Sequence, residues 1–288
     1  MLSLTDMLCS WISLLPFECL QLRFMQEAFL GILLCAPLAA AAGVHVVNFR
    51  MSFFSDAIGH SAFAGAALGL LCSLGPGITM PLLALLIGLG IMFLKRRSSL
   101  SSDTVIGVLF SSVVALGLAL ASRNPDMTRE MQMFLYGDIL TVGGREILIL
   151  FVLSVIFYGF EIIAFNRLIA IGINPQLART HRIRVAAYEY IHIGLLALVV
   201  IFCVKAAGVL LVTALLIVPA AAARNLSKSS GKMFWIAILI GLGSGIAGLL
   251  LSAQDWAGTA AGAAIVLCAC VVFVLSLFYS MFVQKRKC

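Results

Sequence analysis

Asp56 and His60 stand four residues apart in Phe53-Phe54-Ser55-Asp56-Ala57-Ile58-Gly59-His60-Ser61-Ala62-Phe63-Ala64-Gly65, a stretch otherwise made of apolar and small residues. On a helix that spacing stacks the carboxylate and the imidazole on one face, one turn apart. An oxygen and a nitrogen ligand so placed suit a divalent transition metal. The same two groups would also serve as a hydrogen-bonded contact between neighbouring helices. Their surroundings bear on the choice. An ionisable residue near the middle of a bilayer costs about 2.5–3.5 kcal/mol on insertion scales, so it usually pairs, lines a water-filled path or binds something.

Composition places the pair in a membrane. Of 288 residues 62% are hydrophobic and 11% charged, and the mean hydropathy is +1.14. Soluble domains run at about 45–50% apolar and about 25% charged, so almost nothing remains here for a soluble domain. The net charge of +7 is then a matter of topology rather than of nucleic-acid binding. The first residues include Asp6 and Glu18 and no early basic cluster, unlike a cleaved signal peptide. The eight cysteines are scattered with no CxxC pair, and Cys268 and Cys270, two apart, would point to different sides of a helix. They are expected to behave as small hydrophobes, not as disulfides or a metal knuckle.

The elements that must position Asp56 and His60 are apolar runs at 24–48, 53–74, 77–94, 103–122, 146–165, 186–204, 208–223, 233–252 and 258–282. A spanning helix needs about 20 apolar residues. Most runs comply, but 208–223 is short and joins its predecessor through Lys205-Ala206-Ala207 alone, so the two are either separate crossings or one broken element. The expected fold is all-α, a polytopic membrane bundle of eight or nine transmembrane helices. An amino-terminal extracytoplasmic segment (1–23) precedes the transmembrane domain (24–282), and a basic cytoplasmic tail (283–288) follows it. Gly65/Gly69, Gly241/Gly245 and Gly258/Gly262 have the small-xxx-small spacing of close helix contacts. Pro37 and Pro219 interrupt backbone bonding inside two runs.

Nine crossings with a cytoplasmic carboxyl terminus put 14 basic residues inside: Arg50, Lys95–Arg97, Arg167, Arg179, Arg182, Arg184, Arg224, Lys228, Lys232 and Lys285–Lys287. Only Arg23, Arg123, Arg129, Arg145 and Lys205 stay outside, as the positive-inside rule requires. Most acids fall outside too: Asp6, Glu18, Glu27, Asp126, Glu130, Asp138, Glu146 and Asp255. In the outer loop 123–145, Met127–Leu140 has the pattern of a short amphipathic surface helix. In the inner loop 166–185, Leu168-Ile169-Ala170 precede a Gly172 breaker and Pro175 opens a second amphipathic turn. Apolar residues in a basic loop suit docking to a partner protein, or lying on lipid head groups.

Several chemistries are missing. No GxxxxGK[ST] phosphate loop occurs, and Gly231-Lys232-Met233 lacks both its upstream glycine and its hydroxyl. HExxH and GxSxG are absent as well, which argues against a membrane metalloprotease or serine hydrolase. If this chain pumps, the energy comes from a partner or from an ion gradient.

Three motifs in order, Arg50–Gly65, Asp103-Thr104-Val105-Ile106-Gly107-Val108-Leu109-Phe110 and Gly208–Arg224 (Gly-Val-Leu-Leu-Val-Thr-Ala-Leu-Leu-Ile-Val-Pro-Ala-Ala-Ala-Ala-Arg), resemble the permease subunits of bacterial zinc/manganese ABC importers, the ABC-3 family. The similarity runs from about residue 24 to about 282. It implies a homodimer of this subunit, or a dimer with a related permease, in the bacterial inner membrane, with two cytoplasmic ATPases and an external metal-binding protein. It also implies that Asp56 and His60 lie on the translocation path and that 166–180 holds the helix contacting the ATPase, with Leu168, Ala170, Gly172 and Pro175 as its contact residues. Gly59 is a departure, since the family often has Ser there. No permanently bound cofactor is implied; Zn²⁺ or Mn²⁺, and by the same ligand chemistry iron, would be cargo.

Other polar residues are candidates for the same path. Glu189 and His192, three apart, share a helix face and would complete a four-ligand site, although Tyr188 and Tyr190 make interfacial anchoring an alternative. His45, inside the first run, would reach the same cavity, whereas His181 among arginines is expected to be solvated. Two ligands from each subunit would make a site weak enough to release its ion. The rival readings are a gradient-driven secondary metal transporter, an ABC permease for a metal chelate such as a siderophore or cobalamin, and a purely structural membrane subunit.

Overall fold

The apolar runs fold as helices that end where backbone rules stop them. The computed structural model describes Cys9, Trp11, Ile12 and residues 18–122, 139–254 and 258–285. Within them α1 is Arg23–Asn48, α2 Phe54–Leu71, α3 Pro76–Arg97, α4 Ser102–Ala121, α5 Gly144–Ile173, α6 Pro175–Thr180, α7 Val185–Ala207, α8 Val209–Leu226, α9 Ser230–Ser252 and α10 Ala261–Lys285. All but the six-residue α6 have 18 residues or more, and eight are long and apolar enough to cross a membrane. The ninth, α2, is diluted by Asp56 and His60 but packs along α3, with Phe54 against Gly88 and Gly65 against Met80.

The short run at 208–223 is a separate helix. Gly208 has φ 85 and ψ 158, a conformation open essentially to glycine, and it breaks α7 from α8. The inner loop differs from expectation. Leu168, Ala170 and Gly172 belong to the last turns of α5, which runs on to Ile173. One glycine costs a helix only about 1 kcal/mol, so Gly172 does not stop it. Pro175 does: the residue before a proline is pushed out of the helical region, and Asn174 has φ −155 and ψ 106. Asn174 then caps α6, its Oδ1 accepting from the backbone N–H of Gln176 at 2.9 Å and of Leu177 at 3.2 Å.

α1 is the central helix. Its most apolar window is 78% buried, against 22% for α4 and 28% for α10. Close approach relies on small residues. A Cβ at Gly241 would stand 2.7 Å from Ala40 Cβ, and one at Gly245 2.8 Å from Ile32 Cγ2, so α9 lies directly on α1. Gly258 is different: it precedes α10 in a turn with φ 51, so Gly258/Gly262 is not a helix–helix contact. α1 and α8 continue through Pro37 and Pro219. Cys19, Cys35, Cys72, Cys203, Cys268 and Cys270 are free thiols, with Cys35 and Cys203 fully buried.

The helix directions agree with alternating crossings. Lys205 of α7 lies 3.8 Å from Glu146 at the start of α5, and Arg96 near the end of α3 pairs with Glu189 near the start of α7 at 2.9 Å. Arg23, at the opposite end of α1 from His45, pairs with Glu27. The expected surface helix at Met127–Leu140 lies outside the described residues up to Asp138, and Ile139–Thr141 is a single 3-10 turn. Asp6, Arg123, Asp126, Arg129, Glu130, Asp255, Arg286 and Lys287 also lie outside them.

Candidate metal path

Asp56 lies in the first turn of α2 and His60 one turn later, both half-buried while Phe54, Ser55, Ala57, Ile58 and Gly59 between and beside them are buried. The first turn suits a carboxylate, because the free N–H groups of the helix start favour negative charge. Neighbouring contacts fix the level of the pair along the bundle. Phe54 packs on Gly88, and from there to Arg97 α3 continues for about 13 Å at 1.5 Å per residue. The His60 ring is held edge-on by Phe63 and by Phe110 of α4, with centroids 5.3 and 5.1 Å away. Among the described residues no hydrogen bond or ion pair occupies either group. Two adjacent donors are thus left free at membrane depth.

Gly59 has a packing reason. A Cβ there would stand 2.8 Å from Val209 Cγ1 at the start of α8, so the residue that departs from the family pattern is matched to its neighbour.

The other candidates do not join Asp56 and His60. His45 of α1 and His192 of α7 meet, with ring centroids 4.9 Å apart, and Glu161 of α5 completes the group by a 2.9 Å contact from its Oε2 to His45 Nε2. All three are buried, at 0%, 1% and 3% exposure. His45 Nδ1, Glu161 Oε1 and both His192 ring nitrogens have no hydrogen-bond partner. Glu161 was not singled out from sequence. Its partner is 116 residues away, and the only local signal is a carboxylate in the interior of the apolar run 146–165, whose other acid, Glu146, stands at its end.

Glu189 points elsewhere than its helix neighbour. It accepts from Arg96, and with Lys95 and His192 it lines a space of about 10 Å³. It therefore belongs to a charged collar at the basic end of the bundle, where Lys95 also lies over Phe49. Tyr188, proposed as an anchor, contacts Arg167 there. His181 is exposed.

Among the described residues no three His, Cys, Asp or Glu side chains are grouped to hold a metal ion. A cavity of about 600 Å³ lies at the opposite end, between the 3-10 turns and the ends of α8, α9 and α10, and no His, Asp or Glu lines it. A metal on Asp56 and His60 would take its remaining ligands from water or from another chain.

A model of the ABC 3 transport family matches residues 21–280. The high-affinity zinc uptake system membrane protein ZnuB of Haemophilus influenzae is 31% identical over 256 residues, 89% of this chain and 97% of that one. The manganese import system permease protein ScaB of Streptococcus gordonii is 31% identical over 264 residues, 89% and 91% of the two chains. Among solved structures, PsaBC from Streptococcus pneumoniae in complex with Fab matches with a TM-score of 0.75 and 29% identity over 92% of both chains.

Proposed function

The chain belongs to the ABC 3 transport family, and from that premise we propose that it is the membrane permease of an ATP-driven importer of divalent transition metals, zinc or manganese, with iron open to the same ligands. The observation that supports this most is the free carboxylate–imidazole pair of α2, set at membrane depth with no protein partner. Asp56 and His60 coordinate the ion in passing. A second permease subunit supplies a matching pair, which gives enough ligands to select the ion and too few to trap it.

The energy comes from cytoplasmic ATPases, since this chain has no phosphate loop. Leu168, Ala170, Gly172 and Pro175, at the junction of α5 and α6, are the contact through which the ATPase moves the bundle. An external binding protein delivers the metal to the other side. The protein lies in the bacterial inner membrane with its carboxyl terminus in the cytoplasm, because its basic end then faces inward.

A gradient-driven metal transporter is the second reading, and the buried His45–Glu161 pair favours it, since paired intramembrane titratable groups are what proton relays use. Uptake of radioactive zinc and manganese into proteoliposomes separates the two. The importer predicts uptake only with the ATPase, the binding protein and ATP present. Uptake by the chain alone, abolished when the proton or sodium gradient is collapsed, would replace it with the gradient-driven reading.

A further inference from the structure

Where the basic ends of α1, α5, α8 and α9 meet, a cavity of about 220 Å³ is lined by Arg50, Arg224, Asn48 and Ser230, with Ile169 and Ile173 beside them. The two guanidinium groups come from different elements, Arg50 from the α1–α2 connection and Arg224 from the last turn of α8. Neither side chain has a hydrogen-bond, ion-pair or ring partner among the described residues. Three other cations at this end are engaged: Arg96 is paired with Glu189, Arg167 contacts Tyr188, and Lys95 reaches Met51 Sδ at 3.7 Å. Arg50 also holds a left-handed backbone, with φ 53. Such conformations are rare outside glycine, and they persist at ligand clamps when the surrounding structure requires them. Asn48 leaves its Nδ2 donor unpartnered, and Ser230 opens α9, whose first free N–H groups favour an anion.

The lining has cationic and neutral donors and no carboxylate, so it suits an anion and not a metal ion. Two guanidinium forks match the oxygens of a phosphate. Ile173, 78% exposed, gives the cavity an apolar edge, where a hydrocarbon chain attached to that phosphate would run out along the bundle. We propose that this cavity is a phosphate-binding site whose natural occupant is the head group of an anionic phospholipid. Basic pockets between membrane helices bind such head groups. The proposal rests on the orientation given above only in assigning the lipid to the inner leaflet.

The test uses the full chain purified in a neutral detergent. Native mass spectrometry follows binding of phosphatidylglycerol and of phosphatidylcholine, and thermal unfolding at constant ionic strength follows inorganic phosphate. Phosphatidylglycerol is expected to bind in preference to phosphatidylcholine. Arg50→Gln and Arg224→Gln each weaken it about tenfold, while Lys232→Gln, which removes an exposed cation outside the cavity, changes it less than about twofold. Arg224→Lys, keeping the charge without the fork, retains part of the binding and guards against a folding defect. Protection by inorganic phosphate equal to that by the lipid, and lost in the same variants, would keep the site but assign it to free phosphate. Lipid and phosphate binding unchanged in both arginine variants would overturn the proposal. Loss of ATPase co-purification in those variants, with lipid binding intact, would overturn it in favour of a contact to a partner's carboxylate. None of these readouts depends on transport, so they stand or fall apart from the importer reading.

Discussion

His45 and Glu161 are held at 2.9 Å in a fully buried contact, and the unpartnered atoms around it make the group sensitive to the loss of any member. Glu161→Leu leaves His45 Nε2 without its hydrogen-bond partner and is expected to cost about 1–3 kcal/mol. His45→Leu with Glu161→Leu recovers part of that loss, because a matched apolar pair needs no partner. Thermal unfolding in detergent of the two single variants and the double one measures the coupling, and strictly additive losses would mean that the two groups do not depend on each other. That Asp56 and His60 share one helix, one turn apart, was legible from sequence because a spacing of four is local. The group around Glu161 was not, because three helices bring it together and spacing along one helix does not tell which residues of the other two it meets. Glu189 and His192 show the converse. They are three residues apart, yet one faces Arg96 and the other the core, since tertiary packing decides which edge of a shared face each side chain uses.

At the level of the elements, glycine positions and caps set the fit. Gly59→Ser would bring a Cβ to 2.8 Å from Val209 Cγ1 and is expected to destabilise the bundle by about 1–3 kcal/mol, with Val209→Ala restoring most of it. Unfolding temperatures of the single and double variants check this, and no rescue by Val209→Ala would place the strain elsewhere. Asn174→Ala removes both cap bonds of α6 and should cost about 1 kcal/mol locally. Hydrogen exchange of residues 175–180 would then rise while α5 stays protected. The helices themselves were readable from hydropathy, apart from their ends. Gly172 looked like a stop and Pro175 a start. The structure makes the proline do both jobs, because it excludes helical backbone at Asn174 and pre-sets it for α6. The break at 205–208 needed one dihedral angle that no composition rule supplies, the positive φ of Gly208.

For the whole molecule, alternating helices and the basic end predict a definite orientation. Cys72, the exposed cysteine among the described residues, lies at the far end of α2 from Asp56. A membrane-impermeant maleimide is expected to label it in intact spheroplasts, with the signal lost in Cys72→Ser, whereas a cysteine at Lys232→Cys reacts only after permeabilisation. The reverse pattern would invert the topology and place the ATPase contact on the wrong side. A bundle with α1 at its centre and α2 leaving two donors free is suited to a path completed by a second copy. The most direct measurement is ATP-dependent uptake of radioactive zinc and manganese by the full assembly in proteoliposomes, comparing the native chain with Asp56→Asn and His60→Gln. The account predicts that both variants assemble with the ATPase and hydrolyse ATP but lose at least about 90% of uptake, as expected when a ligand made only in passage is removed. Uptake at the native rate in well-folded variants would contradict it and take the metal off α2.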